Sequence, residues 1–235
     1  MNSKSVSGIE AVVTGASGGI GSALCKQLCE QGIRVLGVSR RAPDGWSSAH
    51  YRHLSIDLRH PSASEKVAAA LDSTSHASLR IVIHAAAVLH SMPFELLNEG
   101  MEDEMLRLNL RLPITLTRAL LPWLKVANES HSVFISSMAG FQGSLKYSGL
   151  SVYGASKAGL VGFTEAIAAE MEGSNLYFNT LCLGAVQTEM LQRAFPGYSG
   201  GVSVDEMARF IAGFAQNGHK VMNGKALPVS IGNPR

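Results

Sequence analysis

The chain has 235 residues, 46% of them hydrophobic, which is enough for a large core; α/β folds of this size are often undivided, so one domain over 1–235 is expected. A net charge of +2, with lysines and arginines scattered along the chain, argues against a nucleic-acid partner and for a small-molecule one. Cys25, Cys29 and Cys182 are odd in number and lack CxxC spacing, which argues against a disulfide framework or metal site; without an h-region after Met1–Gly8 or an apolar run near about 18 residues, a cytoplasmic protein off the membrane is expected.

Short apolar runs alternate with longer helical patterns, the signature of βαβ units in an α/β, doubly wound parallel sheet with helices on both faces. Seven strands are predicted, near Ala11–Thr14, Val35–Ser39, Leu54–Asp57, Ile81–Ala85, Val133–Ser136, Phe178–Leu183 and Ala226–Val229. After the first, Cys25 and Cys29 share a helix face and read as small buried hydrophobes. Ser62-Ala-Ser-Glu65 and Ser203-Val-Asp-Glu206 both fit a capping box at a helix start. The longest helical stretches run from Met101 to Lys125 and from Val152 to Met171. Pro113 and Pro122 each remove a backbone donor, which predicts a kink near Pro113 and an end near Trp123. Phe195–Gly201 reads as a flexible loop following a strand end, within a substrate loop spanning about 186–203.

Glycines 15, 19 and 21 follow the first strand and open a helix. Without side chains there, the backbone can turn tightly and approach a pyrophosphate, which the helix N-terminal amides favour. Thr14, Gly15, Ser17, Gly19, Ile20 and Gly21 are therefore candidate cofactor contacts, since strand, turn and helix occur in the required order. An acid about 20 residues further on would hold a ribose 2′-hydroxyl, whereas arginine accommodates a 2′-phosphate. The second strand ends Ser39-Arg40-Arg41, with no carboxylate before Asp44, so NADP(H) is expected in preference to NADH. Asp57, with Leu58 beside it, either accepts a hydrogen bond from adenine or caps a turn.

Tyr153 and Lys157 stand four apart, a spacing that puts phenol and ammonium on one helix face. A tyrosine pKa of about 10 is too high for proton transfer at neutral pH. The lysine charge and that of a nicotinamide ring are expected to stabilise phenolate. Ser136 and Ser137 end a strand, where a hydroxyl can reach the ligand crevice; Ser137 is selected, with a turn serine bonded to its own backbone as the competing role. Asn109 is a polar amide in an apolar helical stretch. Once buried it needs partners for both of its polar groups, and a water joining it to Lys157 would be a proton route.

These residues are similar to those of the short-chain dehydrogenase/reductase family over nearly the whole chain. The TGxxxGxG turn matches Thr14, Gly15, Gly19 and Gly21, and the YxxxK pair matches Tyr153 and Lys157. The resemblance implies a single-domain Rossmann fold, Tyr153 as acid/base and Lys157 on the nicotinamide ribose. It further implies Ser137 orienting substrate, Asn109 holding a relay water, and a homodimer or homotetramer. It places Ala85, Ala86, Ala87, Gly184, Val186 and Thr188 against the cofactor. Where the family has Asn-Asn-Ala-Gly, this chain has His84-Ala-Ala-Ala87, and an interior, hydrogen-bonded His84 is favoured over a catalytic one.

The expected activity is reversible reduction of a ketone or 3-oxoacyl carbonyl to a secondary alcohol. A nucleotide-dependent sensor or scaffold on the same fold is the alternative; an epimerase or dehydratase is disfavoured by the short segment after Thr188. Leu145, Tyr147, Leu191, Phe195 and Tyr198 are candidates for an apolar substrate pocket.

Overall fold

A computed structural model describes residues 8–71 and 79–232. Seven strands, β1 (Ala11–Thr14), β2 (Val35–Ser39), β3 (Tyr51–Ser55), β4 (Ile81–His84), β5 (Ser130–Ser137), β6 (Leu176–Leu183) and β7 (Lys225–Val229), form one sheet in the order β3-β2-β1-β4-β5-β6-β7. Every neighbouring pair is parallel. The strand order reverses at β1, which pairs with both β2 and β4, so a crevice opens beyond their carboxyl ends.

Strand alternation splits the core into two layers. Ala11, Val13, Ile81, Ile83, Val133 and Ile135 point to one face, where they meet Leu24 and Leu28 of α1 (Gly19–Glu30) and Ile211 and Ala215 of α7 (Val204–Asn217). Val12, Val82 and Phe134 point to the other, against Val67 of α2 (Ala63–Ala69), Leu116 and Leu120 of α4 (Leu112–Leu124) and Leu160 of α5 (Ser151–Glu170). Strands buried on both faces read as continuous apolar runs, which is why β1 and β4 were readable from sequence. The three cysteines are buried, free thiols, and among the described residues no helix is long and apolar enough to cross a membrane.

Several local expectations need correction. The third strand is Tyr51–Ser55 and not Leu54–Asp57, because pairing with β2 begins at Val35↔Tyr51 and β2 runs out at Ser39↔Ser55. β5 starts at Ser130, three residues early; its polar opening is buried but satisfied, His131 lying against the Ala215 carbonyl at 3.0 Å and Asn179 at 2.9 Å. The stretch from Met101 is three pieces: α3 (Glu99–Leu106), a π-helical turn Arg107–Arg111, then α4, in which Pro113 occupies the first turn. The irregularity therefore precedes Pro113. Pro122 is tolerated inside α4, which ends at Leu124. Ser62 precedes α2 but does not cap it, since its hydroxyl bonds His60 Nδ1 at 2.8 Å; Ser203 and Glu206 do make the reciprocal capping box on α7. The loop at Phe195 follows a short helix, α6 (Glu189–Ala194), and not a strand.

Leu116 is fully buried between α4 and the sheet. Leu116→Ala should cost about 2–5 kcal/mol in a denaturant titration, with the slope of the transition unchanged.

Candidate active site

β1 delivers the chain into the glycine turn. Gly15 has φ 73°, and a Cβ there would stand 2.9 Å from the Ala86 Cα; a Cβ on Gly21 would lie 2.1 Å from the Gly15 carbonyl oxygen. Both must be glycine for β1, α1 and the exit of β4 to pack so closely. Thr14 Oγ1 accepts from the amides of Ala85 and Ala86 at 3.1 and 3.2 Å, so this threonine ties β1 to the β4 exit. α1 starts without a capping side chain and with no acid in its first turn. Its unpaired amides are thus available to an anion, and the turn fits a pyrophosphate.

The β6 exit closes the crevice from above. A Cβ on Gly19 would sit 3.5 Å from Thr188 Cγ2, which places Thr188 over the glycine turn, where its hydroxyl also caps α6 through the Leu191 amide. Val186 forms a parallel bridge with Val202, pinning both ends of the 186–203 loop. Within it Phe195 meets Tyr147 edge-on at 5.1 Å, and the Tyr198 amide donates to the Phe195 carbonyl. Leu145, by contrast, is 58% exposed. Gly184 answers to packing: a Cβ there would collide with Ser230 Oγ at 2.2 Å.

On the adenine side, Arg40 and Arg41 are exposed at the end of β2. Asp57 lies beyond β3, and its carboxylate accepts from the Arg59 amide at 3.0 Å and from the Arg59 guanidinium at 2.6–3.2 Å, the turn-capping arrangement. Arg59 holds its pKa down to about 2. Arg59 also pairs with Glu104, which in turn binds His90 at 2.8 Å. Leu58 is buried in the core.

β5 ends at Ser137, whose Oγ accepts from the Ala139 amide and whose hydroxyl lies near enough to the Tyr153 phenol to favour its ionised form. Tyr153 and Lys157 lie on one face of α5, both buried. Lys157 Nζ donates to the Ile135 carbonyl at 2.8 Å and stands 5.7 Å from the Tyr153 ring centroid. Burial lowers its pKa to about 8. The expected depression of the tyrosine is not produced by the protein alone: burial pushes the phenol up to about 12, and Ser137 offsets this only in part. The lysine charge faces the ring and the Ile135 carbonyl, which weakens its hold on the phenolic oxygen.

Asn109 is fully buried in the π-helical turn. Its Oδ1 accepts from the Val88 amide, and its Nδ2 donates to the Val88 carbonyl and to Ser156 Oγ, so both polar groups find partners as burial requires. Pro113, four residues on, lacks the amide that an α-helix would aim at the Asn109 carbonyl. His84 is buried, stacked on Phe134 at 4.6 Å and bonded to Thr117 at 3.3 Å, with a pKa lowered by burial to about 3. It stays neutral and belongs to the core. Two contributors escaped sequence reading. Ser156 lies within the Tyr-x-x-x-Lys span itself, and a Cβ on Gly140 would fall 2.5 Å from the Ala158 amide and the Lys157 carbonyl carbon, so this glycine seats the end of β5 against α5.

Residues 10–199 match the family model described as short chain dehydrogenase. An acetoacetyl-CoA reductase of an Acinetobacter species is 29% identical over 192 residues, covering 77% of this chain and 75% of the relative. A "probable NADP-dependent dehydrogenase" of Haemophilus influenzae is 30% identical over 174 residues, covering 71% and 67%. The crystal structure of the TT0495 protein of Thermus thermophilus superposes with a TM-score of 0.82 at 28% identity, over 94% of this chain and 96% of that one.

Gly140→Ala should lower both kcat, more than tenfold, and the melting temperature, because the added methyl meets backbone that can yield only by moving α5 off Ser137; a steady-state assay beside a thermal melt reads both. The Lys157 ammonium is disfavoured in the fold, so its cost is fully present below pH 8 and is relieved as pH rises from about 8 toward the ordinary lysine value of 10.5. Lys157→Met should therefore melt several degrees above the parent at pH 7, with an advantage that shrinks by pH 10, while losing activity.

Proposed function

The chain belongs to the short-chain dehydrogenase family, and from that premise we propose that it is an NADP(H)-dependent oxidoreductase interconverting a ketone or 3-oxoacyl carbonyl with its secondary alcohol. The observation that carries the reading is that the buried Tyr153 and Lys157 of α5 come together with Ser137 at the carboxyl end of β5, Lys157 Nζ being held on the Ile135 carbonyl of that strand at 2.8 Å. The similarity to an acetoacetyl-CoA reductase supports a 3-oxoacyl substrate. Arg40 and Arg41 support NADP(H), as does the similarity to the Haemophilus protein.

A bound nicotinamide nucleotide would supply the hydride and, when oxidised, a positive charge. The glycine turn and the first amides of α1 would hold its pyrophosphate, with Thr188 and the 85–87 segment along its nicotinamide half. Ser137 would hydrogen-bond the substrate oxygen. Tyr153 would donate its proton to that oxygen during reduction and take it back during oxidation. Lys157 would hold the nicotinamide ribose and bias the phenol toward phenolate. Proton supply would run through a water joining Asn109 to Lys157. Tyr147, Phe195, Tyr198 and Leu191 would enclose the apolar part of the substrate. Cytoplasmic location and assembly into a homodimer or homotetramer form part of the same reading.

Tyr153→Phe should reduce kcat by about 10²- to 10⁴-fold with NADPH affinity changed less than about twofold, measured by NADPH oxidation over ketones and 3-oxoacyl thioesters and by direct titration of the cofactor. Turnover surviving in that variant would sink the assignment.

A further inference from the structure

We propose that β3 acts as a three-point clamp that positions Arg40 and Arg41 for the 2′-phosphate of the cofactor, making Ser55, His53 and the Trp46–Tyr51 pair determinants of nucleotide specificity. The inference rests on the NADP(H) reading above and deepens it.

Alternate residues of a strand share a face, so Tyr51, His53 and Ser55 line one side of this edge strand. Ser55 grips the segment that connects β2 to β3 directly, His53 through Ser39 at the end of β2, and Tyr51 through Trp46. Ser55 Oγ donates to the Arg40 carbonyl at 2.9 Å. Ser39 Oγ donates to the Arg41 carbonyl at 2.7 Å and lies 3.2 Å from His53 Nε2. A hydroxyl has one proton, and that of Ser39 is committed to Arg41; His53 must therefore donate through Nε2, and it fixes the serine rotamer. Tyr51 fills the space left by Gly37, where a Cβ would stand 2.3 Å from the phenolic oxygen. Trp46 packs on Tyr51 with centroids 4.7 Å apart and donates from Nε1 to Ser22 Oγ of α1 at 3.0 Å.

Both arginine carbonyls are thus held, and the loop beyond them is stapled to α1, the helix that starts at the glycine turn. The two guanidinium groups themselves make no hydrogen bond or ion pair among the described residues. Asp57, already engaged by Arg59, senses the charge of Arg40. A fixed backbone carrying two uncommitted planar cations is a preorganised receptor for a phosphate dianion, because the loop entropy is lost on folding and not on binding. A ribose bearing a plain 2′-hydroxyl gains nothing from it.

Calorimetric titration of Ser55→Ala with NADP+ and with NAD+ tests the clamp, since Ser55 is exposed and its loss should leave the fold intact. The NADP+ dissociation constant should rise about three- to tenfold, the worth of one hydrogen bond that orders a charged contact, while that for NAD+ moves less than about twofold. Ser55→Thr, which keeps the hydroxyl, should restore the parent ratio. Parallel weakening of both nucleotides, or an unchanged NADP+ constant in a parent that prefers NADP+, would overturn the clamp alone. A parent that binds NAD+ as tightly as NADP+ would overturn the cofactor reading, and the clamp with it.

Discussion

A buried ammonium organises the catalytic edge of this sheet. Lys157 is 2% exposed, and a charge so placed must find an acceptor or be given up. It finds the Ile135 carbonyl, two residues before the end of β5. The Ser136 hydroxyl returns the tie by donating to the Lys157 carbonyl at 2.9 Å. Strand and helix are therefore registered to each other by the two residues just before Ser137. The meeting of Ser137 with Tyr153 follows from these two ties between strand and helix.

The same logic holds the β4 exit. Thr14 takes the amides of Ala85 and Ala86, and Asn109 takes both the amide and the carbonyl of Val88. These ties reach main-chain atoms, so side-chain identity along the segment is under little constraint from them. The segment His84-Ala-Ala-Ala87 is thus held by its backbone whatever side chains it carries. The imidazole has turned into the core beside Phe134, and the methyl of Ala87 leaves the backbone grip intact.

Much of this was legible in the chain. Apolar runs at β1, β2 and β4 are buried on both faces and carry an unmixed signal, and the spacing of Tyr153 and Lys157 implied one face of one helix. The opening of β5 was hidden because Ser130, His131 and Ser132 are polar, and only tertiary partners make them admissible inside. Ser62 offered a capping pattern that His60 intercepts, a competition between near neighbours that pattern reading does not resolve. The state of the Tyr153 phenol was not legible either. Spacing places a cation nearby, but burial and the direction of the ammonium decide which way the proton affinity moves.

Gly140 has a wider consequence. The absence of its side chain seats the end of β5 on α5 before the chain departs into residues 141–150, and that excursion reaches back to the same backbone, Ser144 Oγ donating to the Met138 carbonyl and Lys146 Nζ to the Ala139 carbonyl. Residues 141–150 therefore help to hold the backbone that follows Ser137. Any change of composition there is felt at the carboxyl end of β5.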